Sequence, residues 1–150
     1  MNLMRFRATV ALLACSVLIG CSSDSFDFEG ELQKSLTAYN GSDETIAKGA
    51  LTSFVQRAER HEKTARNVPN LDYDRVLAIA WLELASIYEL NRNEVEGESA
   101  FQAAIRYFDR VEQIAGDPRY KKDKRAALRE FLQQTESYQT PEWKRQRMKK

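Results

Sequence analysis

Side chains able to do chemistry are few and scattered in this 150-residue chain. His61 is the single histidine, set among Arg57, Glu59, Arg60, Glu62 and Lys63. It has no cysteine to pair with and no second histidine, so neither a thiol–imidazole nucleophile nor a histidine metal site follows from it. Glu94, Glu96 and Glu98 crowd into about one helical turn, where the dipole of a helix start already accounts for acids. The six glycines are dispersed and form no phosphate-cradling loop or nucleophile elbow. Cys15 and Cys21 both lie near the N-terminus, in and just after an apolar run. The expectation is a protein that is not an enzyme, with no cofactor, no metal site and no small-molecule substrate.

The apolar run belongs to a targeting segment. Residues 1–7 carry Arg5 and Arg7 and no acid, Ala8 to Ile19 are largely apolar, and the stretch is too short to be read as a membrane span. The expected organisation is a leader over 1–20, a polar tether over 21–27, a helical domain over 28–138 and a basic tail over 139–150.

Within the domain the apolar residues recur at helical spacing. Leu32, Leu36 and Tyr39 mark a first helix closed by Asn40-Gly41. Ser42 is expected to cap a second helix, whose apolar face runs Ile46, Ala47, Ala50, Leu51, Phe54, Val55 and Ala58 before a polar, solvated end. After the break at Val68-Pro69-Asn70 comes a hairpin from Val76 to Val111. Its first helix carries Leu77, Ala80, Trp81, Leu84, Ala85 and Tyr88; its second carries Phe101, Ala104, Ile105, Phe108 and Val111 and is expected to reach about Ala115. Asn93 and Glu96 suit a capping box at the start of that second helix. A fifth helix is expected from about Lys122 to Tyr138, and Thr140-Pro141 should start a short last one, with Trp143 pinning it to the bundle. The fold class is all-α: antiparallel helix hairpins, about five helices plus a short C-terminal helix, arranged as stacked repeats or as a small bundle.

Two resemblances attach to these stretches. Leu18-Ile19-Gly20-Cys21 resembles the lipobox of bacterial lipoprotein precursors. The resemblance implies cleavage before Cys21, its lipidation and, with Ser22 in place of an Asp after it, a place at the periplasmic face of the outer membrane. A mature chain that keeps one cysteine has no internal disulfide. Trp81, Leu84, Ala85 and Tyr88, followed by Gly97, Phe101 and Ala104, resemble the tetratricopeptide repeat, with Asp109 where the repeat closes on proline. That likeness implies a partner groove along Ile79, Leu82, Ser86 and Glu89.

Charge is polarised along the chain. Residues 117–150 hold 11 Lys or Arg against 5 Asp or Glu, and the last seven residues carry Lys144, Arg145, Arg147, Lys149 and Lys150. Such a tail suits anionic headgroups or an acidic partner. For an exported chain the expected partners are the membrane, through the lipid, and another envelope protein, with no nucleic acid. The expected role is a lipid-anchored interaction or scaffold module; the alternatives are a pilot lipoprotein escorting a secretion or pilus component and a structural subunit of a membrane complex.

Overall fold

The computed structural model describes residues 26–41 and 43–149, with the backbone alone at 135–139. The expected leader, Cys21, the Ser42 cap and Lys150 lie outside the described residues. Among those described, every regular element is helical, in the order α1 (Phe28–Gly41), α2 (Glu44–Arg60), α3 (Glu62–Ala65), α4 (Tyr73–Leu90), α5 (Glu94–Phe108), α6 (Glu112–Ala115), α7 (Pro118–Lys122), α8 (Lys124–Gln139) and α9 (Glu142–Met148). The all-α class expected from the periodicity is therefore observed. Six helices have seven residues or more, and α3, α6 and α7 are single turns.

Two antiparallel pairs, α1 with α2 and the larger α4 with α5, make the body, and α2 packs against α4 to join them. The apolar stripes on these helices meet in one core. Leu51, Phe54, Val55 and Ala58 of α2, Leu77, Leu84 and Ala85 of α4, and Phe101, Ala104 and Phe108 of α5 all belong to it. Gly97 lies in the α4–α5 contact, and a Cβ placed on it would sit 3.5 Å from Tyr88 Cβ and 3.8 Å from the Ala85 carbonyl oxygen. Leu128 of α8 is buried, and Phe131 meets Phe108 edge-on at 5.6 Å between ring centres. Phe28 touches Phe54 and Tyr73, and Tyr73 touches Tyr107, an aromatic chain linking four helices.

Several boundaries differ from expectation, each for a local reason. Phe26, placed in the tether by its sequence position, is only 5% exposed and stacks on His61, so folded structure begins earlier than residue 28. Asp43 is the N-cap of α2, its carboxylate accepting the Ile46 N–H at 2.9 Å. Asn93 does stand at the N-cap of α5, yet its side chain makes no capping bond. Helix α5 stops at Phe108 and does not run on to Ala115. Val111 is extended and the preceding N–H groups tighten to i−3 carbonyls, which leaves the Asp109 carboxylate to accept from Tyr120 Oη at 3.0 Å and Lys124 Nζ at 2.7 Å. Helix α8 starts at Lys124 because Asp123 caps it through the Ala126 N–H. Pro141, expected at the first helical position with Thr140 as cap, is itself the N-cap of α9.

The polar end of α2 is not simply solvated. Glu59 Oε1 accepts hydrogen bonds from Trp81 Nε1 at 3.0 Å and from Tyr107 Oη at 2.9 Å, joining α2, α4 and α5. Arg57 donates to Glu31 at 2.7 Å and lies over the Phe26 ring. Tyr107 is protonated well beyond the usual phenol range, because burial and then the Glu59 carboxylate both oppose its ionisation.

Candidate functional site

Helices α1 and α4 run in the same direction, since Phe28 meets Tyr73 at one end and Tyr39 meets Glu83 at the other. Between them, with α2 as floor, is a partly open cavity of about 260 Å³. Its α4 wall is the stripe Val76, Ile79, Ala80 and Glu83, the i, i+3, i+4, i+7 positions of one helical face. Leu32 and Leu36 form the α1 wall, and Leu51 and Phe54 the floor. Leu36 is among the few large apolar side chains that stay exposed.

One end of the cavity is polar, lined by Tyr39, Asn40 and Glu83. There the C-terminal helix comes down on the body. Trp143 Nε1 donates to the Tyr39 carbonyl oxygen at 2.8 Å, and its ring meets Tyr39 edge-on. Lys144 is 1% exposed and donates to Glu83 Oε2 at 2.8 Å, the same oxygen that accepts from Tyr39 Oη at 2.6 Å. A buried ammonium needs such a partner, because leaving it unpaired in a low-dielectric site costs several kcal/mol. Glu83 Oε1 accepts no hydrogen bond from the described residues. Arg147 adds a contact to Glu44 at 2.9 Å and another to Asn91 at 2.8 Å, and Asn91 also donates to Glu44.

The residues singled out from sequence divide between different surroundings. Ile79 lines the cavity. Leu82 is 2% exposed and belongs to the core, so it forms no groove wall; as a large side chain on the inner face of α4 it packs inward. Ser86 is half-buried, and Glu89 is exposed on another side, where Arg129 donates to it at 3.2 Å. The four positions therefore do not make one surface. The basic stretch is likewise not a loose tail: Lys144 and Arg147 are engaged with the body, Arg145 pairs with Glu142 at 2.7 Å, and Lys149 is exposed. Sequence reasoning missed Glu83, although an acid on the apolar stripe Val76–Ala80 was the visible sign. It also missed that the chain supplies the cation for that acid 61 residues later.

Among the described residues no group of three or more His, Cys, Asp or Glu is placed to hold a metal ion, and no helix is long and apolar enough to cross a membrane. Comparison with known proteins finds no matching family model, no similar curated protein and no matching solved structure.

Proposed function

We propose that this protein is an exported lipoprotein, anchored through Cys21 at the periplasmic face of the outer membrane, whose helical domain is an interaction module for another envelope protein. The leader pattern and Leu18-Ile19-Gly20-Cys21 support the anchor. The observation that carries the reading is the burial of Phe26, only five residues beyond Cys21. At roughly 3.3 Å per extended residue the tether can reach at most about 17 Å, so a lipid on Cys21 would hold the domain against the bilayer. The tetratricopeptide-like spacing supports the module: Leu84, Ala85, Gly97, Phe101 and Ala104 are all buried on α4 and α5, and Gly97 lies against Ala85 and Tyr88.

Metabolic labelling with a palmitate analogue tests the anchor: the intact chain takes up label and fractionates with membranes, and Cys21→Ser takes up no label. An unlabelled intact chain refutes it. Affinity isolation of the tagged chain from gently solubilised membranes tests the module. A stoichiometric envelope protein is expected, and recovery of the folded chain alone overturns this part of the reading.

A further inference from the structure

We infer that the cavity between α1, α2 and α4 binds an aliphatic chain that ends in an uncharged hydrogen-bond donor, such as an alcohol or a primary amide. This goes beyond the interaction module and does not depend on the lipid anchor. The body of the cavity is aliphatic and aromatic, and at about 260 Å³ it exceeds the roughly 150 Å³ at which a dry, apolar protein cavity already takes up benzene. Its α4 wall runs from Val76 to Glu83, which at 1.5 Å rise per residue is about 10 Å, long enough for an extended aliphatic chain to lie along it.

The polar end sets the headgroup. Glu83 Oε1 is an acceptor without a donor among the described residues, and Asn40 beside Tyr39 offers an amide. Lys144 pairs with the Glu83 carboxylate through Oε2. A cationic head would therefore meet the Lys144 ammonium, and an anionic head would face the free carboxylate oxygen. A neutral donor escapes both penalties and completes the hydrogen bonding of Glu83.

The test uses residues 22–150, which keep every described residue of the helical domain and leave out the apolar leader and Cys21. Methyl resonances are followed in two-dimensional carbon–proton spectra during titration with 1-octanol, octanoate or octylammonium. Saturable shifts confined to Leu32, Leu36, Leu51, Val76 and Ile79 are expected with 1-octanol, at least ten-fold tighter than with either charged probe. Ile79→Trp, which fills the cavity, should abolish the shifts while the melting temperature is kept. Leu36→Trp serves the same purpose at the mouth if the first variant does not fold. The proposal is overturned by any of three results: no saturation up to the solubility of 1-octanol, a charged probe that binds as tightly, or undiminished binding in a folded, cavity-filled variant.

Discussion

Removing the carboxylate that faces Lys144 tests the packing of α9 and the integrity of the cavity's polar end together. Glu83→Gln keeps shape and a hydrogen-bond acceptor for Tyr39, but takes the Glu83 charge away from the Lys144 ammonium, which is 1% exposed. Breaking a buried pair from one side costs about 3–5 kcal/mol. Glu83 is 12% exposed, which lets some solvent in and favours the lower figure. Lys144→Met is milder, about 1–2 kcal/mol, because Glu83 keeps the Tyr39 hydroxyl and can reach water. The double variant removes both charges of the Glu83–Lys144 contact and should cost little more than Lys144→Met alone, a coupling of about 2 kcal/mol. In a domain of this size about 3 kcal/mol corresponds to roughly 10 °C in melting temperature. Urea unfolding followed by circular dichroism measures all four corners of the cycle in the Cys21→Ser background. There is a second route to relief, undocking of α9, and in a Trp81→Phe background Trp143 alone reports it: its emission would change before the helical signal does. A coupling below about 0.5 kcal/mol, with Trp143 emission unchanged, refutes the Glu83–Lys144 contact.

The other predictions follow from single positions. Leu82→Arg places a charge in the core and should destabilise the domain by more than about 3 kcal/mol in urea unfolding; a fully folded variant that has lost only partner binding would restore Leu82 to a groove. Gly97→Ala should be tolerated and raise stability by about 0.5–1 kcal/mol, since the added Cβ meets Tyr88 at an ordinary 3.5 Å and the helix gains propensity, whereas a drop in melting temperature would show the α4–α5 contact to be tighter. Glu59→Ala strands the Trp81 indole N–H and the Tyr107 hydroxyl and should cost about 2 kcal/mol, measured the same way, with loss under 0.5 kcal/mol counting against the network. The phenols of Tyr107 and Tyr120 are both raised above their unfolded value, by burial first and by Glu59 and Asp109 next. Above pH ~10 the unfolded chain therefore holds fewer protons than the folded one, and stability falls as pH rises; Tyr107→Phe should flatten that slope, and an unchanged slope would refute the assignment.

Most of the helix plan was legible because it rests on period and punctuation. The stripes on α2, α4 and α5, the break at Pro69 and the small residues at Ala85 and Gly97 all report on neighbours within one or two turns. What failed to show was the information carried by long polar side chains across the fold. Glu59, Arg57 and Lys144 have the composition of a solvated surface, and they are drawn inward only because another helix brings a partner: Trp81 and Tyr107 for Glu59, Glu31 for Arg57, Glu83 for Lys144. A long charged side chain can lay its methylenes on apolar surface and reach such a partner, so its class does not fix its burial. The same limit governs the binding surface. Helical period places Ile79, Leu82, Ser86 and Glu89 along α4, but which of them faces solvent depends on α1, α2 and α8, the elements that pack beside it. Leu82 is buried in the core while Ile79 faces the cavity beside α1 and α2, so the site is not the surface that the repeat pattern put along α4. Its polar end is completed by α9, and removing residues 140–150 should for that reason alter the cavity even though α9 supplies none of its apolar wall.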